Sequence, residues 1–257
     1  MKNNKEQRVI KYKDELNDEF SSAQIIPRKI DGSFKYNKTA FWEFFSWLFQ
    51  NILSFPIKFF YLKFKFHHKF IGKEKLKKYK KSGVFIYSNH TQPFSDTFTP
   101  SQAIYPTRNF LIVNPENISM KGSGWVVEFL GAIPVPGDSE AAKNFIKRIE
   151  NRVNKGYSVT IYPEAHIWPY YTKIRPFKSV SFKYPAKFKK PIFAITNTYQ
   201  KKGKRVNMVS YVDGPFMIDE NLSVKDNQEK LRNEVYNVMC KRSQNNNVEV
   251  IKYIKDE

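Results

Sequence analysis

The sequence predicts an α/β protein with a mainly parallel central sheet flanked by helices, preceded by an N-terminal amphipathic, aromatic, membrane-associating helix. Three observations predict it. From Gly83 onward, short apolar runs of strand type alternate with helical patterns, and that alternation implies a mainly parallel sheet covered on both faces. Ahead of this region, 12 of the 26 residues from Phe41 to Phe66 are aromatic and recur at helical spacing. A chain of 257 residues with 41% hydrophobic and 26% charged content has enough material for one real core plus an appended element.

The first 40 residues are mostly polar. No apolar run follows Met1–Gln7, so a cleaved secretory signal is not expected. A single cysteine, Cys240, excludes an internal disulfide framework and a cysteine-cluster zinc site. The simplest reading is a chain facing the cytosol.

Phe41, Phe44, Phe45, Leu48, Ile52 and Leu53 follow the i, i+3, i+4, i+7 rule, while Glu43, Ser46, Gln50 and Ser54 share the other side. The longest uncharged run, Phe44–Ile57, has 14 residues, short of the about 20 that span a bilayer, and Pro56 is expected to interrupt it. Lysines are dense from Lys73 to Lys81. An amphipathic aromatic helix followed by a polybasic stretch suits docking on anionic lipid, with Phe41, Trp42, Phe45 and Trp47 as docking residues. An ordinary helix packed on the core is the competing reading.

Val84–Tyr87, Phe110–Val113, Val159–Tyr162 and Ile192–Ile195 read as buried strands. Val206–Val212 reads as a further strand ending in an Asp213-Gly214-Pro215 turn. One helix runs from Ser139 to Val153, capped by Ser139 or Asp138, and another from about Val224 to Lys241. The expected organisation is a polar segment 1–40, a docking region 41–70 and an α/β domain 71–257.

With 44 Lys+Arg against 24 Asp+Glu, the net charge is +20. Such a chain, with 16% aromatic residues, suits either nucleic acid or an anionic membrane surface. The aromatics concentrate in one amphipathic segment rather than interleaving with cations over a groove. A nucleic-acid partner is therefore not expected.

Chemistry requires residues near the carboxyl ends of the strands, where α/β sheets place their sites. His90 and Asp96 lie on the loop after Val84–Tyr87. A carboxylate can hold an imidazole in one tautomer while the imidazole removes a proton from a hydroxyl. No G-x-S-x-G elbow occurs, so a covalent serine route is not suggested. His67 and His68 read as bystanders at the membrane interface. His166 and Glu164 follow the Val159–Tyr162 strand. No histidine spacing of metal-ligand type is present, so no metal is expected.

Asn89-His90 with Asp96, then Leu130-Gly131-Ala132-Ile133-Pro134-Val135, then Tyr162-Pro163-Glu164, then Lys190–Ile195 stand in order along the chain. This succession resembles the blocks of the lysophosphatidic acid acyltransferase superfamily, the glycerolipid O-acyltransferases. The resemblance covers about Gly83 to Ile195. It implies acyl transfer from acyl-CoA or acyl-carrier protein to the hydroxyl of a lysophospholipid acceptor, with His90 as general base, Asp96 as its orienter and no cofactor. It also implies a peripheral enzyme on the cytoplasmic side of the cell membrane. Asn89 or Gly131 are candidate oxyanion donors.

The sequence departs from that pattern at three places. Five residues separate His90 from Asp96 instead of four. The arginine of the second block is missing, Val135 being followed by Pro136-Gly137, and Glu164-Ala165-His166-Ile167 replaces Glu-Gly-Thr-Arg. The two absent arginines are those the family is thought to use for an acceptor phosphate. Glu164, His166, Arg175 and Lys178 are the expected acceptor-binding residues, with Arg175 and Lys178 as replacement cations. The alternatives are an acceptor without phosphate, a basic membrane- or nucleic-acid-binding protein without catalysis, and an inactive relative.

Overall fold

Buried on both faces, the apolar runs of the chain assemble one seven-stranded sheet in a computed structural model that describes residues 7–20 and 25–256. Two strands stand apart: β1 (Arg8–Tyr12) and β9 (Ile251–Lys255) pair in parallel as a separate ribbon. The main sheet contains β2 (Lys69–Ile71), β3 (Val84–Ser88), β4 (Asn109–Val113), β5 (Ala132–Pro134), β6 (Ser158–Ile161), β7 (Ile192–Lys202) and β8 (Arg205–Phe216). Its order is β2-β8-β7-β3-β6-β4-β5. From β7 to β5 all neighbours are parallel, β8 runs antiparallel to β7, and β2 is parallel to β8.

Side chains alternate between two cores, as the period of two requires. Phe85 and Tyr87 of β3 join the larger core, and Val84 and Ile86 the smaller. Helices α6 (Ser139–Asn154) and α8 (Val224–Ser243) cover the larger side with α7 (Lys183–Phe188). Helix α3 (Phe98–Ile104) and a 3₁₀ turn at Lys73–Tyr79 cover the smaller side. Two further short helices, α4 (Pro115–Ser119) and α5 (Gly124–Phe129), link β4 to β5. Of the two candidate caps of α6, Asp138 is the one used: its Oδ1 accepts from Ala141 N at 2.8 Å. Gly83 turns the chain into β3 with φ of +70°; a Cβ there would lie 1.9 Å from the Val153 carbonyl oxygen, so only glycine fits.

The structure alters three expectations. Asp213-Gly214-Pro215 is not a turn but part of β8, where the register against β7 shifts between Ile192 and Ala194. Gly214 adopts φ of +122° and Pro215 has no N–H for the ladder, so the pair makes a bulge rather than a chain reversal. The polar segment is not separate from the α/β domain. Ile30, Phe34 and Tyr36 lie in the larger core, and β1 closes onto β9. Apolar residues spaced too sparsely to form a run still bury when a neighbouring core offers the place.

The third alteration concerns the aromatic segment. It is a continuous rod made of α1 (Ala40–Leu48), a π turn (Phe49–Leu53) and α2 (Ser54–Phe66). Thr39 caps its start, accepting from Trp42 N at 3.2 Å. Pro56 does not interrupt it. Its ring would crowd the carbonyl four residues back, and the wider π turn just before it supplies the room. The residues buried along α1, the π turn and α2 are Ser46, Gln50, Ser54, Lys58, Leu62 and Phe66. The first four are polar. Ser46 Oγ and Gln50 Nε2 donate to the Phe129 carbonyl at 2.7 and 3.0 Å. Three arginines, Arg108, Arg148 and Arg152, converge on Glu43 at the start of the rod. The polar side therefore grips the domain and the apolar side faces outward: Phe41 is 75% exposed, Phe64 69% and Phe60 50%. Phe45 and Trp47 are exposed as well. Trp42 is the exception, tucked onto Phe129 with ring centroids 3.9 Å apart and with Lys38 Nζ 5.1 Å from its own ring. No described helix is long and apolar enough to cross a membrane.

Candidate active site

β3 ends at Ser88, and the next residues form the site loop. Asn89 fixes its root: Nδ2 donates to the Asn197 carbonyl at 3.0 Å, and Asn197 N donates back to Asn89 Oδ1 at 2.8 Å. That reciprocal clasp ties the loop to β7 and engages the Asn89 amide through both its oxygen and its nitrogen. Gly131 N likewise donates to Glu128 O. Both candidate oxyanion donors thus make bonds within the protein.

The loop wraps around one carboxylate. Asp96 is 1% exposed. Its Oδ2 accepts from Thr91 N at 2.7 Å, Gln92 N at 2.8 Å and His90 Nδ1 at 2.7 Å. The fifth intervening residue is absorbed in this wrap, so the longer spacing still joins His90 to Asp96. An ionised carboxylate only accepts, which assigns the Nδ1 proton to His90 and leaves Nε2 as a bare lone pair. The His90 ring lies on Tyr162, centroids 4.3 Å apart and 22° from parallel. Burial keeps the Tyr162 phenol protonated far above its ordinary range. Tyr199 OH steadies the loop from behind, bonded to Thr91 Oγ1 and Gln92 Nε2, both at 2.7 Å.

The second loop follows β6 and runs beside the first. Trp168 N donates to His90 O at 3.2 Å and Tyr170 N to Thr91 O at 2.9 Å. Glu164, 5% exposed, joins the two loops: its carboxylate accepts from His90 N and Arg175 N, each at 2.9 Å. Burial pushes this carboxyl up, and Arg175 with the two backbone donors pulls against that rise. Both oxygens are thus committed to backbone, so Glu164 is a brace between loops rather than an acceptor ligand.

Arg175 is also corrected. It is 1% exposed, and its guanidinium serves the carbonyls of Glu15, Glu164 and His166 beneath the Trp168 ring. A fork already satisfied by buried carbonyls cannot reach a phosphate on a diffusing lipid. Lys178 is exposed, next to Phe177, whose carbonyl accepts from Arg232 of α8 at 3.0 Å. His166 is partly exposed with Nδ1 3.3 Å from Glu19 Oε2. Of the expected acceptor-binding residues, His166 alone lies in the loop beside His90 with an accessible ring. His67 and His68 differ too. His67 ends α2 in the left-handed conformation, but His68 is held inside by Ser210 at 2.7 Å, and burial lowers its imidazole to about 4.

Asn197 and Tyr199 were not singled out from the sequence, and Tyr162 was noted only as part of its block. The available signal was polarity inside buried strand stretches: Thr196-Asn197-Thr198 and Ser210 lie in the buried parts of β7 and β8, where each polar group needs a partner.

The Acyltransferase family profile matches residues 67–198, just over half of the chain. No curated protein matches it in sequence. Among solved structures, it resembles the crystal structure of the 1-acyl-sn-glycerophosphate (LPA) acyltransferase PlsC from Thermotoga maritima. The TM-score is 0.53 and the identity 17%, over 79% of this chain and 86% of that one. At that identity the likeness is one of fold.

Proposed function

The chain belongs to the acyltransferase family, and from that premise we propose that it acylates the hydroxyl of a lysophospholipid-type lipid at a membrane surface. The observation that carries this reading is the 2.7 Å bond from His90 Nδ1 to Asp96 Oδ2 at the carboxyl end of β3. His90 Nε2 takes the proton of the acceptor hydroxyl as its oxygen attacks the carbonyl carbon of an acyl thioester, acyl-CoA or acyl-carrier protein. The tetrahedral intermediate collapses, the C–S bond breaks, and the imidazolium returns the proton to the leaving thiolate. Asp96 stabilises the imidazolium throughout. The attack is direct, with no acyl-enzyme.

The aromatic side of α1 and α2 docks the enzyme peripherally on the cytoplasmic side of the cell membrane. A polar stripe buried against protein and an apolar stripe open to the outside fit this orientation, since water is the worst solvent for a row of exposed Phe. The +20 charge favours anionic lipid and the phosphates of CoA or an acidic carrier protein.

The burial of Arg175 favours a second reading, an acyltransferase whose lipid acceptor carries no phosphate for a bidentate arginine to hold. Acyl transfer to lysophosphatidate and to an uncharged monoacylglycerol, assayed on vesicles with wild type and His90→Ala, tests both statements. We expect turnover with wild type only, and with the monoacylglycerol at least equal to lysophosphatidate. Turnover by His90→Ala would remove the general base, and strict dependence on lysophosphatidate would remove the second reading.

A further inference from the structure

The dyad does not end at Asp96. Its second oxygen, Oδ1, lies 3.5 Å from Asn197 Nδ2. Asn197 Oδ1 accepts from Ser210 Oγ at 2.6 Å, and Ser210 Oγ lies 2.7 Å from His68 Nε2. Asp96, Asn197 and Ser210 are each no more than 1% exposed.

The direction of every bond in this row is set by its acceptor-only end. The Asp96 carboxylate accepts, so the Asn197 amide turns its NH₂ to it and its carbonyl to Ser210. That carbonyl accepts, so Ser210 spends its one hydroxyl proton there and has only lone pairs for His68. His68 must therefore donate from Nε2–H. All four donors, His68, Ser210, Asn197 and, from the other side, His90, point toward one carboxylate, and a row aligned in this way is polarised cooperatively.

We propose that His68 is a positioning residue for the reaction, acting through Ser210 and Asn197 to hold Asp96 in the orientation that aims His90. It rests on His90 being the general base. The position of His68 suits that role, because it directly follows the end of α2, with His68 N donating to Leu62 O at 3.2 Å and its ring edge-on to Phe70 at 4.4 Å. The row thus links the foot of the outward-facing rod to the site across β8 and β7. Around its two ends, the groups facing His68 are Ser210 and Lys73, and those facing His90 are Asp96, Tyr162 and Glu164. Burial, which lowers the His68 imidazole to about 4, keeps it neutral at physiological pH, as a donor with one proton must be.

Three readings test this on the full-length enzyme. In ¹⁵N-histidine NMR at pH 7, His68 is expected as the Nε2–H tautomer; the Nδ1–H tautomer overturns the proposal. His68→Phe keeps the ring packed on Phe70 but removes the donor, and should lower kcat roughly tenfold with KM little changed. His68→Gln restores a donor and should recover most of the loss. Ser210→Ala should match His68→Phe, and the double variant should be no slower than either, because both cut the same row. Wild-type kcat in His68→Phe, failure of Gln to rescue, or simple multiplication of the two losses each overturns it. His90→Ala run alongside separates the two claims: if it is inactive while His68→Phe is normal, only the positioning role fails.

Discussion

At the scale of single residues, charge state decides most of what the site can do. Asp96→Asn keeps the shape and an accepting oxygen but loses the charge that, in the proposed reaction, balances a His90 imidazolium. We expect kcat to fall by roughly 10³–10⁴-fold with KM nearly unchanged; a loss under tenfold would show that the Asp96 carboxylate does not serve His90. Glu164→Ala would strand the His90 and Arg175 N–H groups and leave a buried guanidinium without its anion. Removing one partner of such a pair costs about 3–5 kcal/mol, so a fall in Tm and in turnover together is expected. His68 sets an acid limit on the fold. Its imidazole is held near 4 against an ordinary 6.5, so the unfolded chain binds the extra proton between those values. Stability is then full above pH 6.5 and falls as the pH drops toward 4, by about 3 kcal/mol. Tm measured from pH 7 to 4 should show this slope, and His68→Gln should flatten it.

At the scale of elements, the rod of α1 and α2 shows how amphipathicity can be legible while the partner of each face is not. Its helical period and its two faces were plain in the sequence, because they depend only on spacing. Which face meets protein was not, because the buried polar stripe is satisfied by partners far along the chain: Phe129, Arg108, Arg148 and Arg152. The π turn that carries the helix through Pro56 was hidden for another reason, since an apolar period does not report how a helix makes room for a proline. The strands of the sheet were legible for the opposite reason, since a strand buried on both faces is a local run of apolar residues. Lys58 is the weak point of the stripe, 7% exposed with no acidic partner among the described residues and its ammonium lowered to about 8. A lysine depressed on folding destabilises below its folded value and recovers as the pH climbs toward 10.5. Lys58→Met should therefore raise stability by up to about 3 kcal/mol at pH 7, and the gain should shrink at high pH. Equal Tm values at pH 7 would refute it.

At the scale of the whole molecule, the His90 loop was visible as a histidine and an aspartate after a strand, whereas its supports were not. Asn197 and Tyr199 come from β7, about a hundred residues away, and no spacing rule connects them to the loop. The loop that carries Glu164 is supported from farther still. Trp168 stacks on Tyr253 of β9 with centroids 5.1 Å apart, lies 4.8 Å from Tyr12 of β1, and donates from Nε1 to Asp18 O at 2.7 Å. Trp168→Ala should cost about 3–5 kcal/mol and lower turnover beyond what lost stability explains, checked by assaying well below Tm. This ribbon has a consequence for biosynthesis. β1 is made before the main sheet, yet among the described strands its one partner is β9, and all seven strands of that sheet lie between the two in sequence. On the ribosome the sheet can form while the ribbon is still missing, so a nascent chain holds the histidine loop in place before the loop beside it is clamped. Competence is then acquired after the sheet has folded, and it arrives only when the exit tunnel has released β9.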